Sequence, residues 1–135
     1  MPTVLVVDDR RDAQLTVSAK LERMGFAVKT VDSAVNIVDQ VITALADIVF
    51  MDMNMPGIDG CEAAQILRKD ERTWAIPIVM LSATTSQEER NIAVQAGCVD
   101  LIVKPIDEEV VKELLARILN AANESRPLPA SAIRL

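Results

Sequence analysis

The 135-residue sequence contains no histidine and few aromatic residues, with one Trp, two Phe and no Tyr. Without histidine the chain cannot form a Ser/His/Asp or Cys/His catalytic group or a His-ligated zinc site. The core must be aliphatic, and because 50% of the residues are hydrophobic the chain can build one packed domain. Carboxylates are therefore the main candidates for chemistry.

Cysteine, basic charge and long apolar runs are also scarce. The two cysteines, Cys61 and Cys98, have no CxxC spacing, and the N-terminus lacks the pattern of a secretory signal, so we expect a reducing, cytoplasmic location. The 14 Lys and Arg stand against 20 Asp and Glu, and this net charge of −6 argues against direct nucleic-acid binding. No apolar run reaches the roughly 18 residues that a membrane helix needs.

Short apolar runs typical of buried strands alternate with segments of helical periodicity. The runs cover 3–7, 26–31, 47–51, 76–81 and 101–103. The helical segments cover 12–24, 34–45 behind a Ser33 cap, 59–70, 86–97 and 107–119. Short connections favour right-handed crossovers, so this order predicts a doubly wound, three-layer α/β sandwich around a parallel sheet. We expect the domain to cover 1–122, and 123–135, with two prolines and no periodicity, to be a tail or the start of a linker.

Polar residues follow the predicted strands at the sheet edge where open α/β proteins bind ligands. The first strand is followed by Asp8 and Asp9, the third by Asp52, the fourth by Ser82 and the fifth by Lys104. Three carboxylates at one edge repel each other unless a hard dication joins them, so we expect Mg²⁺ there. With Lys104 the site would be formally neutral and could admit a phosphoryl group, with Asp52 as nucleophile and Ser82 as hydrogen-bond donor.

Four segments stand in this order at the predicted strand ends. They are Val-Leu-Val-Val-Asp-Asp at 4–9, Met-Asp-Met-Asn-Met-Pro-Gly-Ile-Asp-Gly at 51–60, Leu-Ser-Ala at 81–83 and Val-Lys-Pro-Ile-Asp at 103–107. Together they resemble the response-regulator receiver domain of two-component signalling, from residue 3 to about 121. The resemblance implies a flavodoxin-like fold with five parallel strands in the order 2-1-3-4-5. It also implies phosphoryl transfer to Asp52 from the phosphohistidine of a sensor kinase or histidine phosphotransfer protein.

The resemblance further implies which residues hold the metal and control the acyl phosphate. Asp9, Asp52 and the backbone carbonyl of Asn54 would ligate Mg²⁺ directly, and Asp8 would act through water. Asn54 and Thr84 correspond to positions that tune hydrolysis of the phosphorylated state. Such a domain catalyses only its own phosphorylation and dephosphorylation.

A second set of implied roles concerns switching. Ser82 would swing toward one phosphoryl oxygen while Lys104 pairs with another, and the peptide bond before Pro105 would be cis. Members of the family carry an aromatic switch residue three positions before the lysine, where this chain has Leu101. Rotation of an aromatic ring therefore cannot report the phosphorylated state here.

Two other functions stay open. A haloacid-dehalogenase-type phosphatase also uses a strand-end Asp and Mg²⁺, but it generally needs a cap domain and a second Asp where this chain has Asn54. The other alternative, motivated by Leu101, is a receiver-like interaction domain that works without phosphorylation. The sequence identifies neither the output domain nor the target protein, and both a monomer and a weak homodimer fit it.

Overall fold

The computed structural model describes residues 2–84 and 86–123. The five strands are β1 Thr3–Val7, β2 Ala27–Val31, β3 Ile48–Asp52, β4 Ile78–Ser82 and β5 Asp100–Val103. The five helices are α1 Arg11–Arg23, α2 Ile37–Ala44, α3 Gly60–Lys69, α4 Gln87–Gln95 and α5 Glu108–Asn123. Apart from Asn123, which ends α5, the predicted tail lies outside the described residues. Within the described ranges, no helix combines the length and apolarity needed to cross a membrane.

All neighbouring strands pair in parallel, in the order β2-β1-β3-β4-β5. This confirms the predicted flavodoxin-like, doubly wound sandwich. The register places Val7 beside Met51, Asp52 beside Leu81, and Ser82 beside Val103. The carboxyl ends of β1, β3, β4 and β5 therefore meet at one edge of the sheet.

The sheet is buried on both faces, which explains its nearly continuous apolar strands. Val4, Val6 and Phe50 pack in a cluster with residues of α1 and α5. Leu5 and Met51 belong to a second cluster with residues of α2, α3 and α4. Alternate residues of each strand thus serve different cores, and the central strands hold the edge residues in place from both sides.

Helix starts and stops mostly follow the predicted capping residues. The Asp59 side chain accepts a hydrogen bond from the Glu62 amide at 2.9 Å, and Ser86 accepts one from the Glu89 amide at 3.1 Å, at the starts of α3 and α4. Gly97 follows α4 with a φ of 105°. These contacts confirm the two predicted capping arrangements and the predicted glycine stop.

The predicted start of α2 is wrong. The helix begins at Ile37, three residues later than the periodicity indicates, and Ser33 does not cap it. Instead, the Ser33 hydroxyl accepts a hydrogen bond from the Val35 amide at 3.4 Å, and Asn36 adopts a left-handed conformation with φ 56°. The hydroxyl thus closes a local turn, an interaction that competes with helix capping.

The C-terminal end of α2 also departs from the prediction. Leu45, the last residue of the predicted helix, has φ 55° and a side chain that is 76% exposed. Its amide donates to the Ile42 carbonyl and closes the last turn. The helix ends one residue before the apolar periodicity does, because the chain leaves it at Leu45 in a left-handed conformation.

The strands β2 and β5 form the two edges of the sheet. Lys29 stands at the centre of β2, is exposed, and donates a hydrogen bond from Nζ to the Ala44 carbonyl at 3.0 Å. The contact places a positive charge at the carboxyl end of α2, where the helix dipole favours it.

Candidate functional site

Three aspartates converge at the carboxyl edge of the sheet. Asp8 and Asp9 directly follow β1, and Asp52 is the last residue of β3. One oxygen of each carboxylate lies within 4.8 Å of the others. Asp8 is fully buried and Asp52 is 4% exposed, whereas Asp9 faces solvent. The cluster is thus open to solvent at Asp9.

Lys104 supplies the positive charge of this cluster. Its Nζ lies 3.2 Å from Asp8 Oδ2 and 3.4 Å from Asp52 Oδ1, so one ammonium joins two buried carboxylates. The Lys104 amide donates to the Ser82 carbonyl at 2.7 Å, which fixes the end of β5 against that of β4. The peptide bond between Lys104 and Pro105 is cis, as predicted.

The electrostatics of Asp52 reflect an excess of negative charge. Burial is the main cause that raises the pKa of its carboxyl above the ordinary value, and repulsion by Asp8 adds to it. Lys104 opposes both effects, as does the Asn54 amide, which donates to Asp52 Oδ1 at 3.3 Å. One lysine does not compensate fully for the burial and the neighbouring carboxylate.

The donor set fits a magnesium ion. Asp8, Asp9 and Asp52 offer carboxylate oxygens, the ligands that Mg²⁺ prefers, and the exposed Asp9 gives access from solvent. A bound dication would also remove the repulsion that raises the pKa of Asp52. These three residues are those that would hold the ion, and ligation by the Asn54 carbonyl stays a prediction.

Ser82 ends β4, the strand that pairs with β3, and its hydroxyl shares an acceptor with that of Thr84. The Ser82 side chain is 1% exposed, and its hydroxyl donates to Glu89 Oε1 at 3.2 Å. Thr84 donates from its amide to Ser82 Oγ at 3.2 Å and from its own hydroxyl to the same Glu89 oxygen. The sequence singled out Glu89 only for the capping of α4, and nothing in the spacing indicates that its carboxylate reaches Ser82.

Gln14 is a further site residue that the sequence reasoning missed. It is 4% exposed, and its Nε2 donates to the carbonyls of Asp8 at 2.7 Å and Val31 at 3.3 Å. This amide fixes the backbone on which Asp8 stands. A signal was available, because Gln14 lies on the buried stripe of α1 with Val17 and Leu21.

Leu101, the predicted switch residue, is not at the cluster itself. It pairs with Met80 in the sheet, is 2% exposed, and packs in the core on the α4 side with Ala93 and Cys98. Its side chain therefore fills space beneath α4.

The fold and the site define a class: a doubly wound α/β domain with an acidic cluster and a lysine at the carboxyl edge of its sheet. Residues 4–116 match the family model described as the response regulator receiver domain. The chain belongs to this family and is a receiver domain of two-component response regulators. This result confirms the resemblance found in the sequence and gives no support to the phosphatase alternative.

Several named proteins are similar to this chain in sequence or structure. The DNA-binding dual master transcriptional regulator RpaA of Synechocystis is 30% identical over 132 residues, which cover 98% of this chain and 54% of that protein. Protein PilH of Pseudomonas aeruginosa is 29% identical over 119 residues, covering 88% and 98%. The structure of chemotaxis protein CheY4 of Vibrio cholerae has a TM-score of 0.78 at 30% identity, covering 87% and 98%. The chain thus spans about half of the length of RpaA and nearly all of the other two.

Proposed function

We propose that this receiver domain accepts a phosphoryl group on Asp52 in a Mg²⁺-dependent reaction. The observation that carries this proposal is the bridging of Asp8 and Asp52 by one lysine, Lys104, beside a third carboxylate that faces solvent. The arrangement offers a nucleophile, a metal site and a cation to one incoming group. The donor is a phosphohistidine of a sensor kinase or histidine phosphotransfer protein, since the chain itself contains no histidine.

The transfer forms a bond between an Asp52 oxygen and phosphorus while the phosphorus–nitrogen bond of the donor breaks. Asp52 must be ionised to attack, and Lys104 favours that form against burial. Lys104 then pairs with a phosphoryl oxygen, and the Ser82 hydroxyl donates to another. Bound Mg²⁺ would neutralise charge on the phosphoryl oxygens.

Phosphorylation then shifts an existing two-state equilibrium of the domain. The output is a change in protein contacts at the face formed by α4, β5 and α5, as part of a two-component pathway or phosphorelay. Tuning of hydrolysis by Asn54 and Thr84, a cytoplasmic location, and a monomeric or weakly dimeric state stay predictions.

The test is incubation with Mg²⁺ and a small phosphodonor such as acetyl phosphate, followed by intact mass measurement. We expect one added phosphoryl group, lost in Asp52→Asn and retained in Asp39→Asn, an exposed aspartate of α2. Removal of Mg²⁺ with a chelator should prevent the reaction. Labelling that persists in Asp52→Asn would contradict the proposal.

A second candidate, an interaction domain that works without phosphorylation, is favoured by one observation. Leu101 already fills the core beneath α4, so no aromatic side chain is available there to move. Beryllofluoride, which mimics a phosphoryl group, separates the two functions. If it leaves the backbone amide shifts of 83–104 unchanged while Mg²⁺ still binds, this second function replaces the first.

A further inference from the structure

The Ser82 hydroxyl has an acceptor before any phosphoryl group arrives. It donates to Glu89 Oε1 at 3.2 Å, across the loop that joins β4 to α4. Glu89 is half-buried in the first turn of α4, and its amide is fixed by the Ser86 side chain at 3.1 Å. The bond therefore links the end of a central strand to the start of a helix.

Thr84 reinforces the same arrangement. Its amide donates to Ser82 Oγ at 3.2 Å, and its hydroxyl donates to the Glu89 oxygen that Ser82 uses. Ser82 Oγ thus accepts one hydrogen bond and donates another. A serine hydroxyl carries a single proton, so it can donate to one acceptor at a time. A phosphoryl oxygen on Asp52 must compete with the Glu89 carboxylate for that proton.

We propose that Glu89 acts as a latch that holds the Ser82 hydroxyl in the unphosphorylated domain and releases it when Asp52 is phosphorylated. This inference rests on the proposed function, because it assigns a regulatory role at the same site. Glu89 touches neither the metal cluster nor the reacting atoms and is a positioning residue that acts through Ser82. Its carboxylate stabilises the unphosphorylated state and lowers the population of the activated one.

The latch also provides a route for the signal. Leu101 offers no aromatic ring to report the state of the site, whereas Glu89 belongs to α4 itself. When Ser82 turns to the phosphoryl group, the first turn of α4 loses a charged hydrogen bond to β4. The change at the site therefore reaches α4 through one side chain.

The test is a titration of the domain with beryllofluoride in excess Mg²⁺, followed by amide chemical shifts. Removal of the competing acceptor in Glu89→Ala should tighten beryllofluoride binding about three- to tenfold, which corresponds to the usual net contribution of one hydrogen bond. Glu89→Gln keeps a weaker acceptor and should give a smaller gain. The variants keep the Ser86 contact, which uses the backbone amide of residue 89.

Glu88→Ala is the matched control. It removes the same charge from the same helical turn, but Glu88 is exposed and its side chain has no hydrogen bond to Ser82. Equal tightening in the two alanine variants would overturn the latch, since it would show a general charge effect. A double-mutant cycle adds a second control: Glu89→Ala should have no effect in a Ser82→Ala background. An undiminished effect there would also overturn the proposal.

A readout without any phosphoryl mimic separates this inference from the proposed function. The Thr84 amide donates to Ser82 Oγ, so its resonance in the metal-free protein should shift in Glu89→Ala and stay unchanged in Glu88→Ala. If this shift appears but the wild type neither binds beryllofluoride nor accepts phosphate, the proposed function fails and the Ser82–Glu89 contact stands without a switching role. If wild type binds and the two alanine variants match it, the latch is wrong.

Discussion

The carboxyl group of Asp52 is buried beside a second carboxylate and in contact with a lysine. Burial and the carboxylate favour its protonated form, whereas the lysine favours its ionised form. Burial and Asp8 raise the pKa of its carboxyl above the ordinary value of 3.8, and Lys104 lowers it in part. The folded state therefore binds the Asp52 proton more tightly than the unfolded chain does. Between the pKa of Asp52 in the unfolded chain and its higher pKa in the folded domain, the free energy of unfolding falls as pH rises. Above both pKa values, the ionised carboxylate destabilises the fold by its full amount.

Replacement of Asp52 by Asn should therefore stabilise the metal-free domain at neutral pH. We expect a gain of about 1 kcal/mol, or roughly 4 °C in Tm for a domain of this length. The gain should shrink as pH falls through the pKa of folded Asp52 and disappear below 3.8, where the carboxyl is protonated in both states. Thermal melts from pH 3 to 8 measure it, with Asp39→Asn as control. A loss of stability at pH 7 would contradict the interpretation.

Single residues differ in how far the sequence predicts their roles. Asp52 and Lys104 could be found because strand ends collect at one edge, so residue type and position suffice. Gln14 could be placed on the buried face of α1 but not given its partners, and Glu89 could not be found as a site residue at all, since both hydrogen bonds depend on how the helices sit against the sheet. Local patterns carry no information on those distances.

Among the elements, α3 depends on a close approach to β3. A Cβ atom at Gly60 would lie 2.4 Å from the Asp52 carbonyl oxygen and 2.9 Å from Met53 Cα. Both are backbone atoms, which cannot turn aside as a flexible side chain can. The first residue of α3 must therefore be glycine for the helix to approach the end of β3 this closely.

Gly60→Ala should destabilise the domain by about 2 kcal/mol, the usual range for an overpacked site. The backbone of Asp52 must move to admit the methyl group, so phosphorylation by acetyl phosphate should slow as well. Cys61→Ala, in the same helical turn and half-buried, is the control and should cost less than about 1 kcal/mol. Urea unfolding compares the two variants, and equal losses would exclude the close approach as the cause.

At the end of α2, by contrast, Leu45 stands where the backbone conformation favours glycine. Leu45 holds a left-handed conformation with its side chain 76% exposed, so it loses energy in the backbone without gaining burial. Leu45→Gly should stabilise the domain by about 1 kcal/mol. Leu15→Gly, at an exposed position inside α1, should destabilise it by a similar amount. Urea unfolding measures both, and a loss in Leu45→Gly would refute the argument.

The elements show where periodicity succeeds and where it does not. It gives all ten elements and their order, because buried strands and amphipathic helices have distinct apolar patterns. It misplaces the start and the end of α2, since Asn36 and Leu45 adopt left-handed conformations that their residue types do not require. The strand order came from the resemblance alone, because the side on which each helix crosses the sheet leaves no local pattern.

At the scale of the whole molecule, the site is assembled from strand ends that lie far apart in sequence. Asp8 and Lys104 are separated by 96 residues and meet only when the sheet is complete. Anything that binds this cluster therefore binds the folded chain and not the unfolded one. Ligand binding and folding are linked through the acidic cluster.

Mg²⁺ should accordingly raise the free energy of unfolding, by about 2.7 kcal/mol at a concentration one hundred times its Kd. Asp9→Asn should remove most of this gain with little effect on the metal-free protein, because Asp9 is exposed. Asp12→Asn, another exposed aspartate near the same strand end, should retain the gain. Thermal melts across a Mg²⁺ series provide the measurement, and an equal gain in Asp9→Asn would exclude this cluster as the metal site.

Lys29, at the centre of the edge strand β2, affects whether one copy of the domain can pair its sheet with that of another. An edge strand exposes backbone groups that can pair with a strand of another molecule, and such pairing leads to aggregation. The exposed ammonium of Lys29, held at the Ala44 carbonyl, would have to lose that contact and meet the side chains of an incoming strand. This charge disfavours growth of the sheet by a further strand at the β2 edge.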